Sequence, residues 1–348
     1  MKVTIESQRA APDLPAEPQR RILGPVLLGL VSIAAIGLLS TSAFESVNDQ
    51  PSLVEDEFLS ERVAGLGGSL QMIVGRGGDT YYVSWALDRA RPDRTLLKVV
   101  DARMNSDGSL IAGLEGPVPD LSLGSVETIT PVITGTLSFA WHETDPDRIA
   151  LVRKLGNTYQ LWLGESSSLG GFVFSSSATI GSESSVVAFG DWGVALATTG
   201  PEDESIVQVF DLDGNEVQVH SGRFLGSQPG QDGGVTVIGE EGITQTTNGI
   251  TTALDLPDRG QIRALVWSPN GQLVANLVGI GAPLRTEVVS DGEVIATADG
   301  FPIGWDDSGQ VVFVATPPRG LGFLTVSDGS FELLELEGFV VDAGLRDE

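Results

Sequence analysis

The sequence predicts an all-β protein of about six repeated four-stranded units, which follow one transmembrane helix. Three observations support this prediction. An uncharged apolar segment lies close to the start of the chain, the remainder is rich in glycine, and short patterns recur at nearly constant spacing. Together they predict a membrane-anchored ring of short strands.

The composition favours tight turns and limits the possible chemistry. Glycine supplies 44 of 348 residues, well above the usual share of ~7%. The net charge is -27, so like-charge repulsion disfavours nucleic acid and anionic membrane surfaces as partners. No cysteine is present, which excludes disulfides, thiolate catalysis and cysteine-ligated metal sites.

The apolar segment at residues 22–39 contains no charged side chain. As a helix it would span ~27 Å, close to the ~30 Å core of a bilayer. Arg20 and Arg21 precede it and acidic residues follow it. The positive-inside rule therefore places the N-terminus in the cytoplasm and the rest of the chain outside the membrane.

We expect this segment to be an uncleaved signal anchor of a single-pass bacterial membrane protein. A signal peptide cleaved after Ala43 is the alternative, although the apolar run is longer than the apolar region of most signal peptides. The predicted regions are a disordered cytoplasmic tail at 1–21, the transmembrane anchor at 22–40, a linker at 41–67 and an extracytoplasmic β domain at 68–348.

The clearest repeat pairs LVWSPNGQLVANL, which contains Trp267 and Gly271, with IGWDDSGQVVFVA, which contains Trp305 and Gly309. Both marker residues recur after 38 positions. Self-similarity at a fixed period indicates a repeat architecture.

A second marker supports the same period. Asp291 and Asp328 each begin an Asp-Gly turn and lie 37 residues apart. Upstream, Phe189 and Gly193 precede Trp267 and Gly271 by 78 residues, and Asp213 precedes Asp291 by the same 78. Two markers that share an offset of two periods predict a further copy between them.

Weaker copies complete the count. A degenerate copy lies at 228–239, and another surrounds Trp141. The earliest combines 70–86 with 96–114. This gives six units, with a seventh if 117–137 contains a divergent copy.

The pattern of each unit predicts four strands joined by tight turns. Asp-Gly and Asn-Gly, which occur in these units, favour the two-residue turns of β-hairpins. Four strands cannot bury both faces alone, so radial stacking predicts a β-propeller. GFVVDA at 338–343 repeats GFPIGW at 300–305. We therefore expect it to form an innermost strand that closes the ring onto the N-terminal blade.

The repeats FAWHETDPDR, LVWSPNGQLVA and IGWDDSGQVVFVA resemble the WD40-like repeats of TolB-type bacterial propellers. The resemblance covers roughly residues 137–336 and extends back to residue 68. It implies the propeller fold and a tendency to bind proteins, and it carries no catalytic residues. The predicted markers are therefore structural: Trp141, Phe189, Trp267, Trp305, Gly193, Gly271, Gly309, Asp213, Asp291 and Asp328.

No catalytic, cofactor or metal site is predicted from the sequence. His142 and His220 fall in different units, and no G-x-S-x-G motif occurs. The DLDGNE stretch lacks the spacing of a calcium loop, so a structural Ca²⁺ ion is only an alternative to a hairpin. Glu143, Asp145 and Asp147 form an acidic cluster that we interpret as a solvated turn.

We expect a monomeric, non-enzymatic propeller that acts as a scaffold for an envelope protein or peptide. One alternative is a propeller enzyme of glycoside hydrolase or lyase type, with carboxylates in the central channel. The other is a structural component of an envelope complex.

Overall fold

The computed structural model describes residues 68–346 except 87–92, 117–118, 168–170, 201–203, 231–232, 248, 258–261, 280–283, 319 and 337. Within this part of the chain every regular element is a β-strand. The same residues contain no helix of the length and apolarity needed to cross a bilayer. The tail, anchor and linker predicted at 1–67 lie outside the described residues.

Twenty-eight strands are described. They are β1 (Ser69–Arg76), β2 (Asp79–Ala86), β3 (Asp93–Leu97), β4 (Val100–Met104), β5 (Ile111–Glu115), β6 (Asp120–Ser125), β7 (Thr128–Thr134), β8 (Thr136–Trp141), β9 (Arg148–Leu155), β10 (Thr158–Ser166), β11 (Phe172–Ile180), β12 (Ser184–Gly190), β13 (Gly193–Thr199), β14 (Ser205–Phe210), β15 (Glu216–Ser221), β16 (Arg223–Gln228), β17 (Gly234–Gly239), β18 (Gly242–Thr247), β19 (Ile250–Ala253), β20 (Ile262–Trp267), β21 (Val274–Val278), β22 (Arg285–Ser290), β23 (Glu293–Asp299), β24 (Phe301–Trp305), β25 (Val311–Thr316), β26 (Gly320–Thr325), β27 (Phe331–Glu335) and β28 (Phe339–Arg346).

The strands form seven four-stranded antiparallel sheets, the blades of a β-propeller. From the inner to the outer strand, blade 1 is β28-β1-β2-β3, and blades 2 to 7 take β4 to β27 in consecutive groups of four. The all-β propeller prediction is confirmed. The preferred count of six blades is wrong, and the alternative of seven is correct, with β6 and β7 of blade 2 lying within 117–137. The stretch 96–114, read as half of one unit, contains the end of β3 together with β4 and β5, and so it spans two blades.

The last strand closes the ring, as the sequence predicts. β28 pairs antiparallel with β1, from Gly75 opposite Phe339 to Ser69 opposite Arg346. It also contacts the next blade, because the backbone N–H of Met104 in β4 donates to Oδ2 of Asp342 at 2.8 Å. The first blade is therefore completed by the C-terminal end of the chain.

The core lies between the blades. Seven apolar clusters are present among the described residues, and each joins two neighbouring blades. Second strands are covered on both faces, and β21 and β25 each bury five consecutive residues. Burial on both faces explains why the sequences of these strands are continuous apolar runs rather than alternations of apolar and polar residues.

Candidate functional site

Of the acidic side chains in the described turns, most lie on one face of the ring. We call a turn inner when it joins the inner and second strands, and outer when it joins the third and outer strands. Because neighbouring strands are antiparallel, both kinds fall on the same side of a blade. Their described residues include twelve carboxylates and no lysine or arginine. We name this side the acidic face.

The twelve acids are Asp107, Glu127, Glu143, Asp145, Asp147, Asp191, Asp211, Asp213, Asp291, Asp306, Asp307 and Asp328. On the opposite face, the described turn residues include five acids and one base: Glu183, Glu204, Glu240, Glu241, Asp255 and Lys98. The two faces therefore differ in charge, and a cation that approaches the ring is drawn to the acidic face.

Several sequence markers lie in the inner turns. Gly271 and Gly309 adopt φ of 67° and 68°, which a side chain would strain. Their N–H groups donate to the carbonyls of Ser268 and Asp306. The Asp306 side chain also accepts the N–H of Val311 at 2.7 Å. These residues shape the turn itself.

The tryptophan markers lie between blades. The indole N–H groups of Trp141 and Trp305 donate to backbone carbonyls of the preceding blade's inner strand, Arg103 O at 3.1 Å and Val266 O at 2.9 Å. Trp267 packs at the edge of an apolar cluster, and its indole nitrogen has no hydrogen-bond partner. Phe189 is buried in the cluster between blades 3 and 4.

The remaining markers do not converge on one site. Gly193 begins β13. Asp213, Asp291 and Asp328 occupy outer turns of blades 4, 6 and 7. Asp291 adopts a φ of 50°, as the first residue of an Asp-Gly hairpin turn can.

A separate group of side chains meets where the inner turns of blades 3 and 4 reach blade 5. We call it the Glu143 cluster, and it consists of His142, Glu143, Asp191, Trp192 and Ser227. The sequence points to Glu143 only as part of an acidic turn and gives no sign of the other members acting with it.

Glu143 is tied to three blades. Its backbone N–H donates to Phe189 O at 2.9 Å, and its Oε1 accepts a hydrogen bond from the Ser227 hydroxyl. Its Oε2 and the Trp192 indole nitrogen are shielded from solvent, and neither has an aligned hydrogen bond. Both atoms crowd Gly190, where an added Cβ would lie 2.6 Å from the indole nitrogen and 2.9 Å from Oε2. The interpretation of the acidic turn as solvated therefore holds for Asp147, which is exposed, and is wrong for Glu143.

Burial raises the pKa of the Glu143 carboxyl to about 7, and the nearby negative charge of Asp191 acts in the same direction. The hydrogen bond from Ser227 and the nearby indole N–H of Trp192 favour the charged form but do not offset the loss of hydration. A carboxyl that titrates near neutral pH can either donate or accept a proton.

His142 organises the turn that carries Glu143. Its Nδ1 accepts the backbone N–H groups of Thr144 at 3.3 Å and Asp145 at 3.1 Å. Burial lowers the pKa of His142, and Arg148 adds to this effect. Neutral imidazole then carries its proton on Nε2, which lies 3.4 Å from Oδ1 of Asp191.

Beside this cluster, a groove of about 170 Å³ opens between blades 4 and 5 on the acidic face. We call it the blade 4–5 groove. Trp192 belongs to both features and so connects them. The groove residues are Trp192, Val209, Val217, Gln218, Gly233, Gly234, Val235, Thr246 and Gly249.

Among the described residues, no group of three or more His, Asp or Glu side chains has the arrangement of a metal site. His142 and His220 lie in blades 3 and 4. Asp211, in the DLDGNE turn, accepts hydrogen bonds from the backbone N–H groups of Asp213 and Asn215 at 3.0 and 2.8 Å. It therefore shapes a hairpin turn.

Comparison with known proteins identifies the fold and leaves the activity open. The β-propeller domain of the Trilobed protease from Pyrococcus furiosus matches with a TM-score of 0.54 at 14% identity, over 81% of this chain and 97% of that one. Apo AztD from Citrobacter koseri matches with a TM-score of 0.51 at 16% identity, over 78% and 82%. TolB from Acinetobacter baumannii matches with a TM-score of 0.45 at 15% identity, over 81% and 67%.

The chain matches no family model and no curated protein. It is a seven-bladed β-propeller.

Proposed function

We propose that the protein is a non-enzymatic binding propeller of the cell envelope whose acidic face binds a positively charged segment of a partner protein. The observation that carries this proposal is the concentration of twelve carboxylates, with no lysine or arginine, in the described turns of one face. Loops at the end of a propeller converge from every blade, and exposed loops on a rigid scaffold are common binding elements. The envelope location rests on the apolar segment at 22–39.

The proposal predicts that the acidic face sets the affinity for a cationic probe. The probe is a short labelled peptide of alternating lysine and valine, added to the full chain in detergent. We expect Asp147→Asn/Asp191→Asn/Asp213→Asn to weaken binding about tenfold at low salt, since complementary charge drives such association. Fluorescence anisotropy measures the affinity.

The matched control removes the same number of charges from the opposite face, as Glu204→Gln/Glu240→Gln/Glu241→Gln. All six residues are exposed, so neither variant disturbs the core. The control should change affinity by less than about twofold. Equal losses in both variants, or no binding to the wild type, would reject the proposal.

The second candidate is an enzyme that uses Glu143 with Asp191. It is favoured by one observation, the pKa of Glu143 near 7, because paired carboxyls perform acid–base chemistry in glycoside hydrolases. The solvent-shielded Oε2 disfavours it. Hydrolysis of a glycan panel that is lost in Glu143→Gln and retained in Glu241→Gln would favour the enzyme.

A further inference from the structure

We infer that the blade 4–5 groove binds an extended segment of the partner in which apolar residues alternate with lysine or arginine. This inference rests on the proposed function and specifies where on the acidic face the partner binds. It is carried by three features of the groove: its apolar floor, the exposed Val217 side chain in its lining, and the fixed negative charge at its mouth.

The groove has an apolar floor that the surrounding backbone leaves open. Val209 and Val235 are buried beneath it, with 4% and 1% of their surface exposed, and Trp192 forms one wall. Gly233 packs tightly against the same wall, because an added Cβ would clash with Gln228 O and lie 2.9 Å from the Trp192 ring. The open volume of about 170 Å³ above this floor can accept an apolar side chain from outside.

The lining of the groove exposes apolar surface to water. Val217 of β15 lines the groove and is 52% exposed. The pairing of β14 with β15 shifts register at this residue, so Val217 and Gln218 both line the groove. A partner that covers Val217 removes apolar surface from water, which favours binding.

The strands beside the groove have free edges. β15 and β19 are the outer strands of their blades, and all four residues of β19 are exposed. An outer strand presents unpaired backbone donors and acceptors to which an extended segment can hydrogen-bond. In such a segment side chains alternate, so apolar residues would face the groove and the intervening ones would face outward.

The charge at the mouth selects a basic partner. Asp211 and Asp213 lie in the outer turn of blade 4, and Glu216 begins β15. Asn215 donates hydrogen bonds that lower the pKa of Asp211, which therefore stays negative. β15, β19 and the turn at 211–215 contain no lysine or arginine. A second copy of this chain is disfavoured as occupant because its own acidic face would be repelled.

Two probe peptides of equal charge test the inference, one of alternating lysine and valine and one of alternating lysine and serine. On the full-length wild type we expect the valine peptide to bind about tenfold more tightly, because its side chains enter the groove. Val217→Thr should remove most of that preference. The control Val173→Thr, on the outer strand of blade 3 with 66% exposure, should retain it.

Each outcome has one meaning. Equal affinity of the wild type for both peptides overturns the groove inference and leaves the proposed function standing. Failure of both peptides to bind overturns the proposed function itself. A concentration-dependent dimer in sedimentation, which Val217→Thr abolishes, identifies a second copy as the occupant and also overturns the inference.

Discussion

At the scale of single residues, Glu143 shows how far a side chain's environment can depart from that of its sequence neighbours. Asp145 and Asp147 lie in the same turn, and Asp147 is exposed. Glu143 is instead enclosed by Trp192 and Ser227, which lie 49 and 84 positions further along the chain. Its burial is therefore a tertiary effect that a local reading of the turn cannot reveal.

The raised pKa of Glu143 predicts a pH-dependent stability. Since the folded-state pKa is about 7 and the reference value is 4.5, the folded state holds the proton more tightly than the unfolded state. The contribution of this carboxyl to the free energy of unfolding is fully present below pH 4.5. It falls by up to about 3 kcal/mol as the pH rises to about 7. Glu143→Gln should remove this pH-dependent fall.

Urea unfolding of the wild type and Glu143→Gln at pH 4.5 and pH 8 provides the measurement. The difference between the two proteins cancels the titration of every other group. Glu241→Gln, an exposed carboxyl, serves as the control and should leave the pH dependence unchanged. A Glu143→Gln profile parallel to that of the wild type would contradict the assignment.

At the scale of elements, the inner strands are joined to their neighbours through tryptophan side chains. Trp305 donates from β24 to Val266 O in β20, whereas the indole nitrogen of Trp267 has no partner. We expect Trp305→Phe to cost about 1–2 kcal/mol more of unfolding free energy than Trp267→Phe, because it leaves a carbonyl unpaired. Equal losses in chemical denaturation would show that the hydrogen bond contributes little.

The repeat period made much of this level predictable from sequence. A Trp, a turn and a Gly recur because each blade needs a large side chain that packs against its neighbour and a tight turn after it. Blades 3 to 7 and the closing strand could therefore be predicted from the sequence. Blade 2 was missed because Met104 occupies the place that Trp267 and Trp305 take elsewhere. The following NSDG nevertheless forms the same turn, in which Gly108 N–H donates to Asn105 O at 3.0 Å.

The candidate site was far less predictable. The blade 4–5 groove is lined by residues of two blades, from Trp192 to Gly249, which the ring brings together. Their convergence leaves no periodic trace in the sequence. The acidic balance was evident from composition, but its concentration on one face required the topology of the turns.

At the scale of the whole molecule, stability is shared among seven inter-blade clusters, and the cluster between blades 1 and 7 includes β28. Val340 of β28 is 1% exposed within it. We expect Val340→Asp to cost several kcal/mol of unfolding free energy, since a buried unpaired charge is expensive.

The matched control is Val173→Asp on an outer strand, where Val173 is 66% exposed and the same charge remains hydrated. Differential scanning calorimetry and urea unfolding compare the two variants. Comparable stability of Val340→Asp and Val173→Asp would mean that β28 contributes little to ring closure.

The pairing of β28 with β1 has a consequence for synthesis of the chain. β1 to β3 are the first strands of the ring to be made, yet the strand that completes their blade is the last. Until residue 339 and beyond have emerged, Leu70 and Met72 lack the apolar neighbours supplied by β25 and β28, and β1 retains an open edge. A nascent chain of this kind is vulnerable to aggregation, so holdase chaperones have the longest opportunity to act on the blade that is translated first.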